Sequence, residues 1–133
     1  MKKVEHIGIA VKDFAISIPL FENLLNVPCY KQETVESENV NTAFFKLGET
    51  KIELLQSTNS DGVIAKFIEK KGEGIHHLAF DTDNILAEVE RLKNAGFTLL
   101  NETPKEGADN KLVCFLHPKS TNGVLIELCQ EKK

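Results

Sequence analysis

At 133 residues the chain is long enough for one ordinary domain, or for two small modules that share a core. Hydrophobic content of 41% and charged content of 27% are those of a soluble globular protein. A net charge of −4 with no basic run argues against the phosphate-neutralising surface that nucleic-acid binding requires. No apolar run approaches the roughly 18 residues of a membrane span, and the N-terminus lacks a signal-peptide core, so a cytoplasmic protein with no membrane partner is expected.

Residues 4–11 alternate as a half-buried strand, with Ile7, Ile9 and Val11 on one face and His6, Gly8 and Ala10 on the other. A helix follows within residues 13–25, its apolar stripe being Phe14, Ile18, Phe21, Leu24 and Leu25. Pro19 is awkward in its middle; Ser17 as a local cap with Pro19 in the first turn would shorten the regular helix. Asn26 suits the stop. Residues 28–34 read as a strand and 35–39 as a polar loop. Residues 41–47 and 51–56 form a hairpin around Gly48-Glu49, and a short helix at 62–70 takes Asp61 as cap, with Gly72 just past its end.

The second half repeats the plan. Residues 74–81 are a strand, and Asp83 or Asn84 caps a helix that keeps Ile85, Val89 and Leu92 in register and ends at Gly96. A short strand at 97–100, a polar loop at 102–110 and a last hairpin, 111–116 with 124–129 around a turn at 118–123, complete the chain. Each half reads β-α-β-β-β. Two consecutive hairpins and one full helix per half favour an α+β fold with mostly antiparallel pairing over a parallel nucleotide-binding sheet, and no glycine-rich phosphate loop is present. Cys29, Cys114 and Cys129 are odd in number and far apart, as buried free thiols are.

The halves also echo each other in sequence. His6-Ile7-Gly8-Ile9 aligns with His77-Leu78-Ala79-Phe80 at an offset of 77 − 6 = 71, and Ile52-Glu53-Leu54 with Ile126-Glu127-Leu128 at 127 − 53 = 74. Each half therefore opens on a strand with a histidine and closes on one with a glutamate. The alternation puts His77, and not His76, on the small-residue face; Glu53 opposes Ile52 and Leu54, and Glu127 opposes Ile126 and Leu128. A strand carboxylate among apolar residues is costly to bury alone, and a cation removes that cost. Two histidines with one or two carboxylates suit a divalent ion such as Zn, Co, Mn, Ni or Fe(II).

Paired modules of this kind, with these four residues, resemble the vicinal-oxygen-chelate superfamily, which includes glyoxalase I, over nearly the whole chain. The closest resemblance is to the methylmalonyl-CoA epimerase family. It is carried by His6-Ile-Gly-Ile-Ala-Val, by Thr42-Ala-Phe-Phe-Lys-Leu-Gly-Glu-Thr-Lys-Ile-Glu-Leu-Leu, by Ile64-Ala-Lys-Phe-Ile, by Gly72-Glu-Gly-Ile-His-His-Leu-Ala-Phe, and most specifically by Phe115-Leu-His-Pro-Lys-Ser-Thr-Asn-Gly-Val-Leu-Ile-Glu-Leu. The resemblance implies one domain over residues 1–133, with modules at about 1–58 and 74–133 forming a curved, mixed to antiparallel sheet around a metal cleft. It implies a divalent ion (Co, Mn, Zn, Ni or Mg) on His6, Glu53, His77 and Glu127, with Glu127 and then Glu53 as the acid/base groups. The implied reaction is epimerisation of (R)- and (S)-methylmalonyl-CoA through an enolate, in propionate metabolism, by a homodimer acting on an acyl-CoA. Some relatives carry a glutamate on the third strand where this chain has Thr42, and a hydroxyl cannot replace it as a base. Lys46, Lys119 and Ser120 are candidates for the CoA phosphates or the substrate carboxylate. Competing readings are a glyoxalase-I-like lactoylglutathione lyase and a metal-free binding protein of the bleomycin-resistance kind; the four candidate ligands speak against the latter.

Overall fold

The alternating stretch at the start of the chain forms strand β1 (Val4–Ala10) in a computed structural model that describes residues 1–132. It is followed by α1 (Phe14–Leu25), β2 (Lys31–Val35), β3 (Val40–Leu47), β4 (Thr50–Ser57) and α2 (Val63–Lys71). Then come β5 (Gly74–Asp81), α3 (Ile85–Asn94), β6 (Lys105–Gly107), β7 (Lys111–Leu116) and β8 (Ile126–Glu131). Each half has the order β-α-β-β-β, with α2 between the two, which is the α+β class expected.

The chain gathers into two compact units whose boundary falls inside the first strand of each half. Ile7–His76 is one unit; Met1–His6 with the chain from His77 onward is the other. Hydrogen bonds account for the transfer of the first residues: Lys2 N–H donates to Asp81 O at 2.8 Å and Asp81 N–H to Lys3 O at 3.0 Å. His6 thereby joins the unit of His77.

In the unit Ile7–His76, β3 pairs antiparallel with both β2 and β4. One face carries Ala43, Phe45, Ile52 and Leu54, covered by Phe14, Ile18, Phe21 and Leu25 of α1. On the other, Val40 and Leu55 pack with Ile64, Phe67 and Ile68 of α2. The α1 face of these strands is apolar over those four residues, whereas the other mixes apolar Val40, Phe44 and Leu55 with polar Thr42 and Glu53.

In the other unit β8 lies between β5, to which it is parallel, and β7, to which it is antiparallel, with β6 beyond β7. Ile85, Val89 and Leu92 of α3 pack on Cys114, Leu116 and Leu128. The opposite face is lined by smaller residues, Ala79, Val113 and Cys129, with Phe115 beside them. That small-residue face carries the candidate site.

The repeat reaches further than histidine and glutamate. Gln56 Oε1 accepts the Phe14 N–H at the start of α1, at 2.5 Å, and Gln130 Oε1 accepts the Ile85 N–H at the start of α3, at 2.7 Å. In each half a glutamine three positions beyond the strand glutamate satisfies an N–H that has no partner inside its helix.

Several expectations need correction. Asp13, not Ser17, caps α1: its Oδ1 accepts the Ala15 N–H at 2.9 Å, and the helix runs through Pro19. Gly62, not Asp61, precedes α2; a Cβ there would stand 2.6 Å from Ser57 Oγ, so close packing selects the glycine. Residues 97–100 contribute only a bridge between Leu99 and Leu116, and the edge strand is β6, within the stretch expected to be loop. A polar Lys-Glu-Gly edge carries no apolar alternation to reveal it. The strand after α1 starts at Lys31 rather than 28, and the last strand starts at Ile126 rather than 124. Asn26 and Asn84 take their expected places, Asn26 as a left-handed stop at φ 57° and Asn84 accepting the Ala87 N–H.

Candidate metal centre

β1 and β5 present His6 and His77, and β8 presents Glu127; all three side chains are buried, with residue exposures of 5, 4 and 5%. The parity of the strands fixes this. Glu127 pairs with Ala79 on β5 and with Phe115 on β7, on the face away from α3. His6 Nε2 and His77 Nε2 lie 3.0 Å apart, Glu127 Oε1 is 3.3 Å from His77 Nε2, and Oε2 is 3.7 Å from His6 Nε2. One donor atom from each residue falls within 4.8 Å of the others. The imidazole rings meet edge to face, with centroids 5.1 Å apart, and the Phe115 ring stands nearly perpendicular to His77 at 6.1 Å.

This donor set suits a divalent cation. Two lone-pair nitrogens facing each other repel unless a proton or an ion sits between them, and a buried carboxylate beside them needs a positive partner. Nitrogens each bound about 2.0–2.1 Å from a tetrahedral ion stand about 3.3 Å apart, close to the separation seen here. Neutral imidazoles and one carboxylate favour ions of intermediate hardness. A second group, Glu5, His6 and Cys129, shares His6 with the first. It is the poorer cradle, because burial and then the neighbouring Glu127 charge push the Cys129 thiol up, and a neutral thiol is a weak ligand.

Glu53 belongs to the other unit. It lies on β4 opposite Phe44, on the face of Leu55, and is as buried as Glu127 at 5% exposure. Thr42 is buried and its Oγ1 donates to Glu33 O at 2.9 Å, so its hydroxyl is committed to the backbone. His76 packs its ring edge to face on Phe67 at 5.0 Å, as the parity of β5 requires of the residue before the ligand position. His117 Nδ1 accepts the Lys119 N–H, and Ser120 Oγ donates to His117 O, which ties both into the turn after β7. Lys46 and Lys119 are exposed.

Sequence reasoning passed over two buried charges beside the cluster. Glu5 Oε1 is 2.7 Å from His6 Nδ1, and Lys111 Nζ is 3.8 Å from Glu5 Oε2. The available signal was phase: Lys111 alternates with Val113 and Phe115 and so belongs to the small-residue face.

Residues 5–115 match the family described as Glyoxalase/Bleomycin resistance protein/Dioxygenase superfamily. An uncharacterized protein, YqjC, of Bacillus subtilis is 39% identical over 132 residues, covering 99% of this chain and 94% of that protein. Ethylmalonyl-CoA/methylmalonyl-CoA epimerase of Cereibacter sphaeroides is 39% identical over 130 residues, covering 96% and 97%. Among solved structures, a variant of the Streptomyces coelicolor methylmalonyl-CoA epimerase in complex with 2-nitronate-propionyl-CoA superposes with a TM-score of 0.94. It is 30% identical, covering 98% of this chain and 95% of that one.

Proposed function

Because the chain belongs to the glyoxalase/bleomycin resistance protein/dioxygenase superfamily, and within it to the methylmalonyl-CoA epimerases, we propose that it interconverts (R)- and (S)-methylmalonyl-CoA with the aid of a divalent ion. The observation that carries the metal dependence is the convergence of buried His6, His77 and Glu127. These three would hold the ion. Glu53 is the proposed fourth ligand, supported by its place in the repeat and by its burial.

A proton between a thioester and a carboxylate is weakly acidic, and its removal builds negative charge on the thioester oxygen. A bound divalent ion supplies Lewis-acid stabilisation of that charge. Glu127 is the proposed acid/base group: its carboxylate lies 3.3 Å from His77 Nε2 and 3.7 Å from His6 Nε2, beside the proposed ion, and would take the α-proton from one face of the substrate. Epimerisation needs a second group on the opposite face. Glu53, the counterpart of Glu127 in the repeat, is proposed for it, since Thr42 offers no titratable oxygen. The nitronate held by the Streptomyces protein is a planar α-anion, and its binding there favours a carbanion route in this family. A homodimer is proposed on the family relation, and light scattering at the mass of two chains checks it.

The deciding experiment is α-proton exchange in heavy water, followed by NMR on methylmalonyl-CoA. Co(II)- or Mn(II)-loaded protein should exchange the proton rapidly and metal-stripped protein slowly. Glu127→Gln should slow exchange by about 10²- to 10⁴-fold. A folded, metal-loaded chain that exchanges nothing would overturn the assignment.

A further inference from the structure

The buried charges that the proposed reaction leaves unused gather around one imidazole. Glu5 is 3% exposed, and its Oε1 lies 2.7 Å from His6 Nδ1. An ionised carboxylate can only accept a hydrogen bond, so this contact places a ring proton on Nδ1, and in the neutral ring Nε2 is then the lone pair. Nε2 is the atom that faces the cluster, 3.0 Å from His77 Nε2. Lys111, itself buried, brings its ammonium to 3.8 Å from the other Glu5 oxygen and to 3.9 Å from Glu131 Oε1. Of these two contacts of Glu5, the one to the imidazole at 2.7 Å is the shorter, and the ammonium stands farther off at 3.8 Å.

We propose that Glu5 is a positioning residue for the metal centre: it holds His6 in the Nδ1–H tautomer and at a fixed ring angle, with Lys111 balancing its charge. The inference rests on His6 being a ligand, as proposed above. It adds a carboxylate–histidine–metal chain to that reading, an arrangement that pre-orients the ligand and raises its basicity.

The test uses the full chain and two readouts. Imidazole ¹H–¹⁵N spectra report the His6 tautomer with no metal present: a single Nδ1–H form is expected in the native protein and a mixture in Glu5→Ala. Titration with Co(II), followed by its visible ligand-field bands, should give about 10- to 100-fold weaker binding in Glu5→Ala. Should circular dichroism show Glu5→Ala unfolded, Glu5→Asp takes its place; its shorter side chain withdraws the oxygen and should give the tautomer mixture and several-fold weaker binding. An unchanged tautomer together with Co(II) affinity within twofold of native overturns the proposal. If the native chain itself takes up no Co(II), the ligand reading fails, while the tautomer comparison still decides the part played by Glu5.

Discussion

Cys114 and Cys129 are fully buried whereas Cys29 is half-buried, its thiol donating to Lys31 O at 3.4 Å. Burial pushes the Cys114 thiol up, against a small opposing pull from Lys105. The Cys129 thiol is pushed up by burial first and by the Glu127 charge next. Both folded-state values thus exceed the unfolded thiol value of about 8.5. A group raised in this way contributes its stability below the unfolded value and loses it as pH climbs, because the unfolded chain releases its protons first. The urea midpoint should therefore be flat from pH 7 to about 8 and fall between about pH 8.5 and 9.5. Cys114→Ala should be less stable throughout but fall less steeply; a midpoint equally flat across that window would contradict this. Native-state labelling should modify Cys29 alone. The sequence leads to an expectation of three buried free thiols; Cys114 and Cys129 are buried, but Cys29, just before β2, is half-buried. At the site, His6, His77 and Glu127 were found because a repeat and period-two alternation converge on them. Glu5 escaped because a charged residue beside a strand histidine ordinarily faces water, and alternation alone sends the side chains of neighbouring residues 5 and 6 to opposite faces.

Pro19 is the clearest conflict between local preference and tertiary packing. It stands inside α1, removes one helix hydrogen bond and crowds the carbonyl of Ala15, four residues earlier. The sequence suggested a helix shortened to begin at Ser17. Instead Phe14, Ile18, Phe21 and Leu25 pack on the sheet of their unit, and that burial holds all twelve residues helical. Pro19 is exposed, so Pro19→Ala removes the helix penalty without opening a cavity. The gain should be about 2 kcal/mol, after allowing for the extra freedom of the unfolded chain, and a urea titration would read it as a higher midpoint at unchanged slope. A lower midpoint would mean that the proline shapes α1 for packing. Elsewhere the elements were legible where hydrophobic period and caps agreed, as in α3, whose cap at Asn84 and buried Ile85, Val89 and Leu92 were all in the sequence. They were illegible at β6, whose polar residues pair with β7 and show no apolar alternation of their own.

Metal uptake and folding are one equilibrium if the buried donors do what is proposed for them. His6, His77 and Glu127 lie in a single compact unit assembled from the first six residues and the second half of the chain, so their donor atoms converge only when both segments have come together. An ion that binds the folded chain and not the unfolded one stabilises it by RT ln(1 + [L]/Kd), about 2.7 kcal/mol at a hundredfold excess over Kd. For a domain of this size that corresponds to a rise of roughly 10 °C in the melting temperature. Co(II) should produce the rise in differential scanning calorimetry, and EDTA should reverse it. His77→Ala should abolish it, because one imidazole and one carboxylate bind divalent ions far more weakly than two and one. Glu53→Ala carries the sharper question, because Glu53 belongs to the other compact unit. If its carboxylate completes the ligand set, as its place in the repeat suggests, the variant should lose part of the rise measured from its own metal-free melting temperature. A full rise in Glu53→Ala would leave Glu53 out of the ligand set, and a native chain whose melting temperature ignores both Co(II) and EDTA would remove the metal from the mechanism.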